Sequence, residues 1–287
     1  MEIKYECLPC LTREVISLAT RVTDDTTRQK EMITHGLDVI KSEGFKSSTP
    51  YITGLIYSNV KEVSGITDPF EEEKENFNKI AERLITELNL KEEILKSDNP
   101  LDTAVRLSIA GNIIDFSLGI KVEENGVRDS VEDSLKAHIY GSDTKVLADE
   151  INKAKNILII GDNAGEIVFD KLVVELLPCE KVKYAVKGGP IVNDATMNDA
   201  IAVGMDKLVT VIDSGAAFQG TILDTCSDSF IESFGEADLI ISKGQANFET
   251  LGDVAHKNIF FLLRAKCKMI ADEIGCNQGE FVILHNK

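Results

Sequence analysis

The stretch from Asn156 to Asp170 constrains the fold more than any other part of the chain, because its residue pattern changes in the middle. Residues 157–160 form a continuous apolar run, ILII, of the kind found in strands that are buried on both faces of a sheet. From Glu166 onward, apolar residues recur at helical spacing. The sequence therefore predicts a strand, a short polar turn and a helix.

The same alternation continues to the end of the chain. Further β-rich runs lie at 182–186, 208–212, 239–241, 259–263 and 281–284, with amphipathic segments between them. This order is typical of a parallel sheet with crossover helices. Before Tyr140 the patterns are helical, and no linker rich in Gly and Pro follows. We predict a helical N-terminal domain over 1–140 packed onto an α/β domain over 141–287.

Composition excludes several classes of protein. The 287 residues carry a net charge of −17, which argues against binding to nucleic acid or to an anionic membrane surface. No apolar run approaches the length of a membrane span, and the first ten residues lack the apolar core of a signal peptide. The expected location is the cytoplasm, with the six cysteines reduced.

Polar or glycine-rich turns follow successive predicted strands. They contain Asp162-Asn163, then Lys187 to Pro190 with Asn193-Asp194, then Asp213 to Gly215, then Lys243 to Asn247. Ligands of open α/β sheets bind at the carboxyl ends of the strands, so these turns predict a functional site at one edge. Helix capping by Asp and Asn would explain any single turn, but it explains the whole set poorly.

The residue types in these turns suit phosphoryl transfer. Asp162, Asn163 and Asp213 would supply three oxygen ligands with two negative charges, which suit Mg²⁺ or Mn²⁺. Lys243 and the backbone N–H groups that follow it suit a phosphate. A metal, a lysine and amide groups are the usual equipment of enzymes that transfer phosphoryl groups. The sequence contains neither a GxxxxGK[ST] loop nor a GxGxxG motif.

Two further sets of residues leave alternatives open. Asn112 and Asp115 lie three apart on an apolar helix, where they either bond neighbouring helices or reach into a ligand cavity. Cys7 and Cys10 form a CxxC motif, which is half of a tetrahedral zinc site, and Cys267 after the fifth strand is a candidate third ligand. Alternatively, each thiol is a small buried apolar group.

Several motifs together resemble the DUF89 family, the damage-control phosphatases with an ARMT1-like metal-binding domain. They are GDNAGE at 161–166, NDA at 193–195, DSG at 213–215 and KGQANFE at 243–249. DPF at 68–70 and GNIID at 111–115 extend the resemblance over nearly the whole chain, and the N-terminal CLPC is similar to the compact prokaryotic and archaeal branch.

The resemblance implies a Rossmann-like, mostly parallel sheet with flanking helices, and an all-helical N-terminal domain packed over the strand ends. It implies a metal-dependent phosphatase that uses Mg²⁺, Mn²⁺, Co²⁺ or Ni²⁺ and acts on a small phosphorylated metabolite, such as a sugar phosphate or a phosphopantetheine-like compound. The expected partner is that metabolite, neither nucleic acid nor membrane is expected, and a homo-oligomer is left open.

Carried over by motif, the resemblance makes Asp162, Asn163 and Asp213 the metal ligands and Lys243 the phosphate contact. Asn112 and Asp115 would reach into the site from the helical domain. The other residues expected to contact the substrate are Glu166, Asn193, Asp194, Ser214, Gly244, Gln245 and Asn247.

The reaction itself is less constrained than the site. The attacking group would be a metal-activated water oriented by Asp213 or Asp162, or an aspartyl side chain acting directly. The second hypothesis is a carboxyl methyltransferase that uses S-adenosylmethionine, although the glycine-rich loop usual for that cofactor is not found in the sequence. The third is a non-catalytic protein that binds metal and a phosphorylated metabolite.

Overall fold

The first part of the structure is helical. The computed structural model describes residues 1–111 and 133–286, so that the predictions for Asn112 and Asp115 lie outside the described residues. In the first of these ranges the helices are α1 (Leu8–Val22), α2 (Thr26–Glu43), α3 (Thr49–Ser64), α4 (Glu71–Glu87), α5 (Leu90–Lys96) and α6 (Pro100–Gly111).

The ends of these helices follow from local sequence. The Asp25 carboxylate accepts a hydrogen bond from the backbone N–H of Thr27 at 2.8 Å, and so caps α2. Helix α3 ends at Gly65, whose φ of 77° is easily reached by glycine. The apolar residues at helical spacing on one face of α1 are all buried: Leu11, Val15, Leu18, Ala19 and Val22.

Strands and helices alternate from residue 139 onward. The strands are β1 (Ile139–Gly141), β2 (Ile157–Ile160), β3 (Val182–Val186), β4 (Thr210–Asp213), β5 (Leu239–Lys243), β6 (Ile259–Arg264) and β7 (Phe281–Asn286). The helices are α7 (Thr144–Lys153), α8 (Glu166–Val174), α9 (Met197–Ala202), α10 (Asp228–Glu236), α11 (Gln245–Leu251) and α12 (Lys268–Ile274).

The seven strands form one mixed sheet in the order β1-β7-β6-β5-β2-β3-β4. Strands β2 to β6 pair in parallel, whereas β7 is antiparallel to β6 and parallel to β1. The chain leaves β2 through β3 and β4 on one side, and returns to its other side through β5 and β6. This arrangement confirms the predicted Rossmann-like architecture, and it puts the reversal of strand order between β2 and β5.

The core consists of two apolar clusters, one on each face of the sheet. Side chains of β2 alternate between them, with Ile157 and Ile159 in one cluster and Leu158 and Ile160 in the other. Helices α4, α5 and α6 contribute to the first cluster, and α1, α2 and α3 contribute to the second. The predicted domain boundary after residue 140 falls within β1, and each cluster contains residues from both sides of it.

No helix within the described ranges is both long enough and apolar enough to cross a membrane.

Candidate functional site

The turns after β2 and β3 are bound to each other. The backbone N–H of Ala195 donates to the carbonyl oxygen of Asp162 at 2.8 Å, and that of Ala164 donates to the carbonyl oxygen of Asn193 at 2.9 Å. Asn163 and Asp194 form an antiparallel bridge between these turns. The two turns therefore bring together four of the predicted site residues at the carboxyl edge of the sheet.

Asp162 and Asn163 do not cap the following helix. Its N-cap is Gly165, and no side chain caps its first turn. Instead, Nδ2 of Asn163 donates to Oδ2 of Asp162 at 2.8 Å and to Oε2 of Glu166 at 3.1 Å. These bonds occupy the amide hydrogens of Asn163, so its oxygen is the atom that can coordinate a cation.

Gly244, at the end of β5, lies against the Asp162 carboxylate. A Cβ atom on Gly244 would lie 1.8 Å from Oδ2 of Asp162, which no real contact allows, and the φ of Gly244 is +79°. Glycine is therefore required here twice over, for its conformation and for its lack of a side chain. Asp162 consequently occupies the crevice between β2 and β5, where α/β folds bind ligands.

Lys243 is buried in a cluster of charges beneath this crevice. Its Nζ lies 2.5 Å from Oε1 of Glu166 and 2.6 Å from Oδ1 of Asp170. Burial alone would lower the pKa of Lys243, but the carboxylates of Asp170 and Glu166 outweigh that effect and raise the pKa above its usual range. The charged ammonium group is thus held by two carboxylates, and the sequence did not identify Asp170 as one of them.

A cavity of about 610 Å³ opens from Asp162, Asn163 and Asn193 towards the N-terminal helices. Helices α1 and α3 form part of its wall, as expected if the helical residues cover the strand ends. Nδ2 of Asn193 is buried without a hydrogen-bond partner among the described residues, and it is available to a ligand. Lys243 is not among the residues that line this cavity.

Glu249 also lines this cavity, and no role for it was predicted from the sequence. It is buried, and it accepts a hydrogen bond from Nε2 of Gln245 at 3.0 Å. Burial raises the pKa of Glu249 from 4.5 to about 7, and the hydrogen bond from Gln245 opposes this rise. A carboxyl group with such a pKa can exchange a proton near neutral pH. Its position as the last residue of KGQANFE was the available signal.

The three predicted sulfur ligands line the same cavity. Cys7 and Cys10 lie at the start of α1, and Sγ of Cys267 accepts a hydrogen bond from Nε2 of Gln245 at 3.8 Å. In residues 1–111 and 133–286, no three His, Cys, Asp or Glu side chains are grouped so that they could hold a metal ion. The sulfur clip therefore stays a prediction that would need these side chains to move closer together.

Asp213 lies apart from Asp162 and Asn163. It ends β4, the edge strand, where it is exposed and accepts a hydrogen bond from the backbone N–H of Gly215 at 2.9 Å. Two strand spacings, about 10 Å, separate β4 from β2. Asp213 lines a second cavity of about 840 Å³, so the three predicted metal ligands do not share one cavity.

Two other predicted contacts hold turns together. Oγ of Ser214 donates to the carbonyl oxygen of Ala216 at 3.1 Å and accepts from the N–H of Gly188 at 3.2 Å. Nδ2 of Asn247 donates to the carbonyl oxygens of Lys243 at 2.7 Å and Gly161 at 3.2 Å. Ser214 therefore links the turns after β3 and β4, and Asn247 links the ends of β5 and β2.

Two buried lysines, Lys74 and Lys187, line the second cavity. Neither was assigned to the site from the sequence. Nζ of Lys187 lies 3.6 Å from Oδ2 of Asp194. Asp194 in turn forms the backbone bridge with Asn163. Nζ of Lys74, on α4, lies 2.6 Å from Asp68 and 3.4 Å from Asp199. Asp68 belongs to the DPF motif, and its carboxylate pairs with the buried ammonium group of Lys74.

Known proteins resemble this chain over its full length. A family model for the damage-control phosphatase ARMT1-like domain matches residues 3–282. A damage-control phosphatase of Pyrococcus horikoshii is 37% identical over 291 residues, covering 100% of this chain and 99% of that protein. A protein of Archaeoglobus fulgidus named damage-control phosphatase is 36% identical over 289 residues, covering 98% of each.

A solved structure agrees with these sequence matches. The crystal structure of a DUF89 family protein from Pyrococcus horikoshii has a TM-score of 0.88 and 34% sequence identity, and the match covers 100% of both chains. The motifs around Asp162 and Lys243 had predicted the same family. The chain belongs to the DUF89 family, whose domain is the damage-control phosphatase ARMT1-like domain.

Proposed function

We propose that this chain is a divalent-metal-dependent phosphatase that hydrolyses a small phosphorylated metabolite. The observation that carries the proposal is the hydrogen bond from Nδ2 of Asn163 to the Asp162 carboxylate, which leaves the Asn163 amide oxygen and that carboxylate as neighbouring oxygen ligands at the point where strand order reverses. The two relatives named damage-control phosphatases, which match nearly the whole chain, support a phosphatase as the reaction class.

The chemistry of the donor set fits a hard divalent cation such as Mg²⁺, Mn²⁺, Co²⁺ or Ni²⁺. Carboxylate and amide oxygens are the atoms that Asp162 and Asn163 present. The surroundings also carry more buried acids than buried lysines, and an excess of buried negative charge is costly unless a cation offsets it. The buried acids are Asp162, Glu166, Asp170 and Asp194, and the buried lysines are Lys187 and Lys243.

We assign the third oxygen ligand to Asp194 in preference to Asp213. Asp194 is buried and its backbone bridges to Asn163, whereas Asp213 is exposed beside the second cavity. A comparison of Asp194→Asn with Asp213→Asn by calorimetric titration with Mn²⁺ tests the assignment. Weaker binding in Asp194→Asn alone is expected, and weaker binding in Asp213→Asn alone would restore Asp213 as the ligand.

The chain's own groups would bind the phosphoryl group and supply the proton. When bound, the metal polarises a phosphoryl oxygen and activates water as the attacking group. Nδ2 of Asn193 would donate to a second phosphoryl oxygen, since it is buried at the cavity wall. Glu249 would protonate the leaving oxygen, because its raised pKa keeps part of it protonated near pH 7.

Phosphate release from p-nitrophenyl phosphate and from a panel of sugar phosphates, with each of the four metals, tests the function. Asp162→Ala should abolish release, whereas Asp38→Ala, an exposed change on α2, should keep the parental rate. Full activity of Asp162→Ala would rule out the proposed site.

The other hypotheses predict different results. Tight binding of S-adenosylmethionine that is independent of metal, with no phosphate release, would favour the methyltransferase. Saturable, metal-dependent binding of a phosphate ester without turnover would favour a binding protein.

A further inference from the structure

A connected set of buried polar side chains lies beneath the cavity without reaching it. Its members come from four elements: Ser108 from α6, Asp170 from α8, Tyr184 from β3 and Lys243 from β5. Each of these side chains is at most 2% exposed. Buried polar groups are tolerated only when they are paired, so a set of this size in the core requires an explanation.

The carboxylate of Asp170 is the centre of this set. Its Oδ1 accepts from Oγ of Ser108 at 2.6 Å and from Nζ of Lys243 at 2.6 Å. Its Oδ2 accepts from the hydroxyl of Tyr184 at 2.7 Å. Lys243 also donates to the carbonyl oxygen of Ser108 at 3.3 Å. The position of the Lys243 ammonium group is therefore fixed from several directions.

Glu166 connects Lys243 to Asn163, which lines the cavity. Oε1 of Glu166 lies 2.5 Å from Nζ of Lys243, and Oε2 of Glu166 accepts from Nδ2 of Asn163 at 3.1 Å. Glu166 is fully buried, and it thus connects the fixed ammonium group to the side chain of a proposed metal ligand. Nδ2 of Asn163 is held between two carboxylate oxygens, those of Glu166 and Asp162.

We infer that Glu166 is a positioning residue that holds the amide oxygen of Asn163 towards the cation, and that Lys243 holds Glu166 rather than contacting phosphate. The inference rests on the proposed metal site and deepens it. The oxygen of an amide group can coordinate a cation, whereas its NH₂ group repels one. Both carboxylate oxygens of Glu166 act as acceptors, Oε1 from Lys243 and Oε2 from Asn163, so Glu166 selects the orientation in which Nδ2 points towards it and away from the cavity.

Glu166→Gln tests the orientation with almost no change in volume. Lys243 is a cation, so it would take the new amide oxygen and leave the new NH₂ group facing Nδ2 of Asn163. Two donors would then face each other, and Asn163 could relieve the conflict only by turning its own NH₂ group towards the cation. We expect Mn²⁺ binding, measured by calorimetry, to weaken about 10- to 100-fold, as for other groups that orient metal ligands.

Asp170→Asn is the matched control. It removes the same charge beside the same lysine, but Asp170 does not contact Asn163. Asn at this position can keep an oxygen towards Lys243, and the Tyr184 hydroxyl can accept from the new NH₂ group. We expect nearly parental Mn²⁺ affinity. Equal weakening in both variants would show that charge alone matters, and would overturn the inference.

A second change in the Glu166→Gln background should restore binding. With Asn163→Asp added, one carboxylate oxygen can accept from the new NH₂ group while the other faces the cation. The double variant should bind Mn²⁺ more tightly than Glu166→Gln alone. Failure of this rescue in a variant whose circular dichroism and thermal unfolding are those of a folded protein would also overturn the inference.

A measurement on the parental protein remains informative even if Glu166→Gln does not fold. The side-chain NH₂ of Asn163, identified in ¹⁵N spectra by its absence from Asn163→Asp, should be protected from solvent exchange before Mg²⁺ is added. Rapid exchange in the metal-free protein would contradict the inference. Parental protein that binds neither Mn²⁺ nor Mg²⁺ would overturn the proposed metal site itself, whereas parental binding retained in Glu166→Gln would overturn only the role of Glu166.

Discussion

Nζ of Lys243 lies 2.6 Å from Oδ1 of Asp170, and both side chains are shielded from solvent. Lys243→Met would leave two buried carboxylates without their cation. The expected loss in the free energy of unfolding is about 3–5 kcal/mol, because breaking a buried ion pair leaves its partner uncompensated. Urea denaturation at pH 7 measures it. Lys79→Met, which removes an exposed pair with Glu75, is the control and should cost less than about 1 kcal/mol.

Gly244→Ala should weaken metal binding as well as stability. The new Cβ would have to displace the Asp162 carboxylate, and the combination of a φ of +79° with a ψ of 163° would add backbone strain of about 1–3 kcal/mol. Gly65→Ala is a control for a positive φ without a steric clash, because Gly65 has a φ of +77° and a ψ of 0° but no atom within 4 Å of the new Cβ. Thermal unfolding and titration with Mn²⁺ measure the two effects. Unchanged Mn²⁺ affinity in Gly244→Ala would mean that Asp162 is not held as described.

The pH dependence of stability should carry the signature of Glu249. Its folded-state pKa of about 7 lies above the unfolded value of 4.5, so the folded protein binds this proton more tightly. Stability from this group is therefore full below the unfolded pKa and is lost as the pH rises from about 4.5 to about 7. As the pH rises from 4.5 to 8, the free energy of unfolding of Glu249→Gln should increase by up to about 3 kcal/mol relative to that of the parent. Urea denaturation at both values tests this, with exposed Glu180→Gln as the control.

The pH dependence of activity provides a separate test of Glu249. If its protonated form supplies the proton to the leaving oxygen, kcat should fall as the pH rises above about 7. Glu249→Gln should lower kcat about 10²- to 10⁴-fold, and it should remove this limb of the pH profile. A variant that keeps both the parental rate and the parental profile would exclude Glu249 as the proton donor.

Much of the fold could be predicted from apolar patterns alone. The predicted strands at 157–160 and 182–186 agree with β2 and β3 in their bounds. Strand β1 was missed because its three residues are too few to show a period. The run at 208–212 was displaced from β4, since Leu208 and Val209 lie before the strand. An apolar run predicts where side chains are buried, but it does not reveal where backbone pairing begins.

The site was predicted less completely, for two physical reasons. Strand order is not encoded in the turns, so nothing in the sequence placed Asp213 at the edge strand rather than beside Asp162. Strand alternation did contain a signal for Lys243. It shares a strand face with Leu239 and Ile241, which belong to the apolar cluster beneath the sheet edge, and that face leads to Asp170 and Glu166 instead of to the cavity.

The alternation of side chains in β2 has a consequence for how the molecule unfolds. Ile157 and Ile159 lie in one apolar cluster and Leu158 and Ile160 in the other, so four successive residues join the two layers. Removing the N-terminal helices would take part of the apolar cover from both faces of the sheet at once, because each cluster contains residues from both halves of the chain. Unfolding is therefore expected to be a single cooperative transition, with coincident loss of helix signal and of tertiary packing. Loss of the helices at lower denaturant than the sheet would instead reveal two independently stable parts.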